Sequence, residues 1–580
     1  MPDILYFARR TKSLEGFRRR MMEHIHAVEY ETFHDGNDLT DKSIIRVRDC
    51  ARTIQRIFSL RSENRSKFSV LQALKDIALN VERSDLSPAF YAELLHLMLG
   101  LEGRGIEKDL EARYLTRVSL HGREAALHRS RQLDMLSDAV DERIARFVTG
   151  LDEDAVHRRG KRVENLMHQL GVSSQQWNDW RWQMRNVVRD PNLLDHLVTL
   201  RPDEKKAVTQ ARKEGIPFGI TPYYLSLMDD DPGLGHDIGL RAQVIPSTKY
   251  VKGYLREERS CLDFMKENDT SPVELITRRY PGICIYKPFN TCPQICVYCQ
   301  RNWEIDDAMA PGALAPGKRR IAAVEWIRSH PAIHEVLLTG GDPLAMSDGR
   351  LEEILNDLAA IPSIERIRIG TRTLVTVPMR ITEELADLLA RYRIPGRRQV
   401  SVVTHIQYPY EITPDTVTVV ERLRSRGISV FNQLVYTFHI SRRFEAYLLR
   451  RILVRAGVEP YYTFNTKGKE ETKDYRVPLA RLLQEQKEEA RLLPGLARTD
   501  EAVYNVPGMG KNYLRARQHR DLISILPDGS RLYEFHPWEK NITDDISTVL
   551  HQDVPILDYL KRLESLGEDT SEYETIWYYF

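Results

Sequence analysis

Residues 282–302 read "GICIYKPFNTCPQICVYCQRN", an apolar run of strand length followed at once by Cys292, Cys296 and Cys299. Six later runs repeat the strand part of this plan: "HEVLLTGGDP" (334–343), "IERIRIGTR" (364–372), "RQVSVVTH" (398–405), "ISVFNQLVYT" (428–437), "EPYYTFNT" (459–466) and "EAVYNVPG" (501–508). Between them lie helical patterns such as "TEELADLLARYR" and "TPDTVTVVERLRSRG". Regular β-then-α alternation predicts parallel strands joined by crossover helices. Six or seven such units predict an α/β fold, an incomplete TIM-like (β/α) barrel, with its chemistry on the loops after the strands.

Upstream, residues 1–165 read as a helical extension, with apolar residues at helical spacing in "DKSIIRVRDCARTIQRIFSLR". Residues 166–275 read as a second helical segment preceding the barrel. In "SSQQWNDWRWQMRNVV", Ser173 or Ser174 is the expected N-cap, and Trp177, Trp180 and Met184 the inward face. The barrel is expected over 276–510, with 511–580 as a C-terminal docking or oligomerisation segment that begins at Lys511. Its aromatic end is expected to dock on its own subunit or a neighbouring one.

The chain has 580 residues, with 84 Lys+Arg against 83 Asp+Glu, so no global field favours nucleic acid or an anionic membrane. No run of about 18 apolar residues is present to span a bilayer. The opening "MPDILYFARRTKSLEGF" has no signal-peptide pattern, and six cysteines in this length suit a reducing compartment, so a cytoplasmic location is expected. Cys50, Cys261 and Cys284 read as ordinary buried or partly buried thiols.

Three thiolates in one loop leave a structural zinc one ligand short, and no second C-x2-C supplies it. A [4Fe–4S] cubane takes one ligand per iron. Three cysteines then leave one iron open to an external ligand, which suits chemistry better than scaffolding. A zinc-stabilised interaction module or an iron–sulfur electron carrier are the non-catalytic alternatives.

The three-cysteine loop after the first barrel strand resembles that of the radical S-adenosylmethionine enzymes. The resemblance implies that the open iron binds S-adenosylmethionine and that the reduced cluster releases a 5′-deoxyadenosyl radical, with an electron donor such as flavodoxin or ferredoxin. Tyr298 matches an aromatic often found before the third cysteine. In "TGGDP", Gly340, Gly341 and Asp342 match the segment that holds the methionine moiety, where glycine lets backbone approach closely.

Further segments, "WNDWRWQMRN", "ITPYYLSLMD", "ITRRYP", "RIGTRTLVTVPMRIT", "VTHIQYPYEIT", "EPYYTF" and "VPGMGK", resemble the lysine 2,3-aminomutase family from about residue 170 to 535. That family adds pyridoxal phosphate and moves an amino group between adjacent carbons of an amino acid. The resemblance places the cofactor lysine at Lys511, one cofactor-phosphate arginine at Arg279 and a cofactor-side residue at Gln433. A second phosphate arginine of the family is replaced by Ile283, and the glycine loop is one residue shorter. Lys287, nearby on the strand, is a candidate to compensate for the lost charge.

The same resemblance places the substrate α-carboxylate on Arg301, whose guanidinium fork matches two oxygens. Lysine-specific members carry two aspartates for the distant ammonium. Here those positions are Lys467 and Asn505, so an ammonium substrate meets a positive charge while a side-chain carboxylate meets a partner. The pair, with Gln300, resembles the glutamate 2,3-aminomutase branch and implies interconversion of L-glutamate and β-glutamate. Lys469 is an alternative bearer of the charge. Another carboxylate-bearing amino acid, or a reaction of the same lineage without pyridoxal phosphate, remains open at this point.

Overall fold

All seven expected strands are present and pair in chain order. In the computed structural model, residues 2–34, 41–105, 110–116, 118–256, 262–466, 469–539, 542 and 546–580 are described. The barrel strands are β1 (Ile276–Thr277), β2 (Ile283–Phe289), β3 (Glu335–Gly340), β4 (Arg366–Gly370), β5 (Gln399–Thr404), β6 (Ser429–Tyr436), β7 (Val458–Asn465), β8 (Glu501–Val506) and β9 (Gly510–Tyr513). Each pairs with the next, β2 through β8 all parallel, while β1 and β9 run antiparallel at the two edges. The edges do not pair with each other among the described residues, so the barrel is partial.

Along β2, β3, β4 and β6, buried residues alternate with half-buried or more open ones. Cys284, Tyr286, Val336, Leu338, Ile367, Ile369 and Val430 are the buried set. Helices such as Gly317–Arg328, Asp348–Ala359 and Pro414–Arg424 connect these strands, and the buried set belongs to the core that those helices share. A strand's successive side chains point to opposite faces. The other set, including Lys287, Thr339, Arg368 and Gln433, therefore faces the barrel interior. A closed TIM barrel packs that interior solid; here it stays partly open and carries charged residues.

Ser173 is the N-cap in the segment before the barrel, in a reciprocal capping box with Gln176, and Trp177, Trp180 and Met184 are buried. Asp179 starts a second short helix at Trp180–Arg185, so the stretch is two turns of helix rather than one rod. The helix Glu153–Leu170 runs across residue 165, which moves the expected boundary there. The boundary at 510 moves as well, because Lys511 lies within β9 and belongs to the barrel sheet.

A second sheet, β10 (Arg520–Ile525), β11 (Arg531–Phe535) and β12 (Val549–Gln552), is antiparallel in chain order. Its first hairpin turns at Pro527–Ser530, where Gly529 has φ +82° and a side chain would strike Ala89. Arg531 on β11 is buried. It donates Nε to both oxygens of Glu93 at 3.0 and 3.1 Å, Nη1 to the Tyr579 carbonyl at 2.6 Å and Nη2 to the Trp577 carbonyl at 2.7 Å. His96 stacks on Trp577 with ring centroids 4.6 Å apart, and Arg61 and Arg65 both reach Glu534. The aromatic C-terminal segment thus docks on the N-terminal helices of its own chain.

Candidate active site

The loop carrying the three cysteines is fastened from both sides. Upstream, the Gly219 carbonyl accepts from Ile295 N–H at 3.1 Å, and the Gln243 carbonyl from Val297 N–H at 2.8 Å. Tyr298 donates its hydroxyl to Gln243 Oε1 at 2.6 Å. The helical segment before the barrel therefore grips the loop. From β3, Gly341 N–H donates to the Phe289 carbonyl at 2.7 Å and Asp342 N–H to the Thr291 carbonyl at 2.9 Å. A Cβ on Gly341 would overlap the Thr291 peptide, and Gly340, at φ +114°, would put one against the Phe289 carbonyl. Both glycines admit the cysteine loop itself to close range, a use the sequence expectation assigned to a ligand alone.

Asp342 is buried and accepts from Leu344 N–H, Arg372 N–H and the hydroxyls of Thr371 and Thr373, at 2.7–3.0 Å. These donors join the loops after β3 and β4. The backbone so fixed belongs to Arg372, whose Nη1 donates to Cys296 Sγ at 3.1 Å. Arg301 N–H donates to Cys299 Sγ at 3.3 Å. Donors aimed at ligand sulfurs stabilise thiolate and tune a cluster's potential. Burial pushes the Cys292 and Cys299 thiols up, and the neighbouring cysteines add to it. A bound metal centre's positive charge reverses that balance. Among the described residues no group of three or more His, Cys, Asp or Glu is placed to hold one metal ion. A cubane asks for a different geometry, one thiolate on each of three irons, and the fastened loop with its two sulfur donors fits that group.

The second half of the site lies at the barrel's far edge. Lys511 on β9 sits opposite Asn505 on β8, so the two side chains share a face. The Lys511 ammonium donates to the Tyr280 hydroxyl, lies 4.5 Å from the centre of that ring and 5.5 Å from that of Tyr462. Tyr280 in turn donates to Glu539. Burial, helped by Arg279 and Arg368 and opposed by Glu539, pushes the Lys511 ammonium below its ordinary range. A lysine that loses its proton readily in an aromatic, partly desolvated pocket with two arginines near fits an anionic carbonyl cofactor such as pyridoxal phosphate. Gln433 is the register partner of Tyr462 on the neighbouring strand, which places it in the same part of the interior. Arg279 itself donates to the Met265 carbonyl.

Arg301 is the surprise of the site. Its fork is closed on Glu267, Nε to Oε2 at 3.1 Å and Nη2 to Oε1 at 3.1 Å. Burial works to raise the Glu267 carboxyl, yet Arg301 and Lys287 hold it down at about 2. Lys287 contacts Glu267 at 3.3 Å and Glu304 at 3.0 Å. Its charge is matched there; Arg368, half-buried on β4 and itself paired with Glu335, is a further cation that acts on Lys511. Lys469 is buried, 2.6 Å from Glu471 and 2.8 Å from Asn302 Oδ1. Its charge is already met within the fold, as that of Arg301 is by Glu267. Lys467 lies outside the described residues. Sequence reasoning missed Glu267, Arg368, Arg372 and Glu539. Arg368 and Arg372 both fall inside the quoted "RIGTR", a visible signal; Glu267 and Glu539 come from distant segments that only the fold brings in.

Residues 286–443, which run from within β2 to just past β6, match the radical SAM superfamily. The chain is thus of the radical S-adenosylmethionine class, with its three cysteines on the loop after β2. An uncharacterized KamA family protein of Methanocaldococcus jannaschii is 40% identical over 605 aligned positions, covering 100% of this chain and 96% of that protein. Glutamate 2,3-aminomutase of Clostridioides difficile is 30% identical, covering 70% of this chain and 90% of its own length. L-lysine 2,3-aminomutase of Bacillus subtilis is 34% identical, covering 54% and 64%. This chain belongs to the KamA family. The two named relatives are 2,3-aminomutases, and 2,3-aminomutases are isomerases. No helix among the described residues is long and apolar enough to cross a membrane.

Proposed function

We propose that the protein is a radical amino acid 2,3-aminomutase that interconverts L-glutamate and β-glutamate. Cys292, Cys296 and Cys299 hold the [4Fe–4S] cluster whose open iron takes S-adenosylmethionine, and Lys511 holds pyridoxal phosphate. When bound, these groups supply a 5′-deoxyadenosyl radical and a π system that stabilises the migrating nitrogen centre. The observation that carries the reading is Arg301, two residues beyond the last cysteine, whose fork is closed on the carboxylate of Glu267.

The chain's own residues supply position and charge. Arg301 orients the α-carboxylate so that Cβ is presented toward the cluster loop. Lys511, with its ammonium destabilised by burial, offers a neutral amine. Asn505 beside it donates an amide hydrogen bond where a carboxylate would favour a lysine side chain. Lys467 supplies the opposing charge for the second carboxylate. Arg279 and Arg368 provide the positive field for the cofactor phosphate. An acidic one-electron donor of the flavodoxin or ferredoxin type, a homo-oligomeric assembly and a cytoplasmic location complete the proposal.

Anaerobically reduced, reconstituted protein is incubated separately with L-glutamate and L-lysine, and products are separated by chromatography. β-Glutamate from glutamate, with 5′-deoxyadenosine and no β-lysine, is the expected result. Borohydride treatment should fix pyridoxal phosphate on Lys511, read by peptide mass spectrometry. Formation of β-lysine alone, or cofactor fixed elsewhere, overturns the reading.

A further inference from the structure

Four charged side chains from three parts of the chain meet beside the cluster loop. Glu267 comes from the segment before the barrel, Lys287 from β2, and Arg301 with Glu304 from just beyond the cysteines. Two cations face two carboxylates, and all four side chains are mostly buried. Gln300 adds an amide 3.5 Å from Glu267 Oε1. The group is electrically balanced before any ligand arrives.

The backbone of Glu267 is fixed. Its N–H donates to Asp263 Oδ1 at 2.8 Å, and its carbonyl accepts from Ser271 Oγ at 2.7 Å and Thr270 Oγ1 at 3.1 Å. Its carboxylate is held by side chains alone: Oε2 accepts from Arg301 at 3.1 Å and Lys287 at 3.3 Å, and Oε1 from Arg301 at 3.1 Å. A turn about the side-chain bonds can leave it on Lys287 alone while the fork of Arg301 opens.

We infer that Glu267 is a built-in competitor for the substrate's α-carboxylate, and so sets how tightly and how selectively Arg301 takes it. This inference rests on the reading of Arg301 as the carboxylate clamp. A fork holds one planar carboxylate at a time. An entering carboxylate therefore has to displace Glu267, and a third negative charge on two cations weakens its binding. A ligand without an α-carboxylate gains nothing by opening the fork, so the competitor acts only on ligands that carry one. Until displaced, Glu267 occupies the fork of Arg301. Its role is specificity and positioning; it does not touch the reacting atoms.

Equilibrium binding of L-glutamate, L-lysine and the α-amide L-isoglutamine to the cluster- and cofactor-loaded protein tests this, by calorimetry without turnover. Glu267→Gln keeps the shape and removes the competing charge. It should tighten both α-carboxylate ligands by about tenfold and leave isoglutamine unchanged. Unchanged or weaker binding of glutamate and lysine overturns the inference and makes Glu267 a plain support for Arg301. Absence of any binding to either form overturns it as well. If the glutamine variant loses its cluster, Glu267→Asp decides: its shorter arm withdraws from the fork, and tightening is again expected. The glutamate-to-lysine ratio in the unmodified protein tests the substrate proposal separately. Lysine preference with tightening in Glu267→Gln sinks the glutamate reading and leaves this one intact.

Discussion

Arg301 with Glu267 and Arg531 with Glu93 are buried arginine–glutamate pairs with contacts of 3.0 to 3.1 Å, in opposite surroundings. Arg531 also gives Nη1 and Nη2 to backbone carbonyls, so its guanidinium is tied on every side into the join between the N-terminal helices and the second sheet. Arg301 lies by the barrel interior and shares its carboxylate with Lys287. The electrostatics diverge accordingly. Glu93 has one cation, and burial pushes its carboxyl up. Glu267 has two cations, which hold it at about 2 despite burial. Burial of an ion pair therefore says little about its role; the number of competing partners around it separates a rivet from a clamp.

Removing each arginine should separate the two roles most sharply. Arg301→Gln is expected to lower kcat/KM for glutamate about a thousandfold, roughly 4 kcal/mol, while Lys287 keeps a cation on Glu267 and limits the loss of stability. Comparable losses of activity and stability would erase the distinction. Arg531→Met leaves Glu93 buried without its partner and should cost about 3 kcal/mol in unfolding free energy, measured in urea. Turnover per folded, cluster-loaded molecule should be unchanged.

Acid provides a subtler comparison. The Glu267 carboxyl is depressed on folding, so its contribution is complete above the ordinary carboxyl range and is lost as pH falls from about 4.5 toward 2. That loss is on the order of 2 to 3 kcal/mol. The Glu93 carboxyl is raised on folding, so the folded protein takes its proton first and a falling pH favours the fold until the ordinary value is reached. Urea unfolding across this range should show Glu267→Gln flattening the acid-side decline and Glu93→Gln leaving it in place. Equal effects of the two would contradict the two-cation account.

The barrel was legible because its signals are local. Each parallel strand is a short apolar run, and each is followed by a helix of ordinary amphipathic pattern, so alternation alone indicated the fold. The cysteine loop was legible because its residue types and spacing carry the chemistry, whereas Gly340, Gly341 and Lys511 drew their expected roles from the family resemblance. The charges around Arg301 were not. Glu267 lies 34 positions before it, in a polar stretch with no periodicity, and only the packing of that stretch beside β2 brings them together. The second sheet had a readable signal in "ISILPDGSRLYEF", where Pro-Asp-Gly marks a hairpin turn. Its third strand is short and half-exposed, so the sequence beyond that hairpin carries little pattern. The boundary at Lys511 misled: a glycine-rich loop reads as an end, yet Gly508 and Gly510 fold β9 back on β8.

His96 and Trp577 stack face to face although 481 positions separate them (577 minus 96). Contacts this distant in the chain form slowly, because a long loop must close before they reward it. During synthesis, the helices around residue 96 emerge from the ribosome with one face still bare, and it stays bare until residue 577 has been made. Chaperone demand should therefore fall on the N-terminal helices.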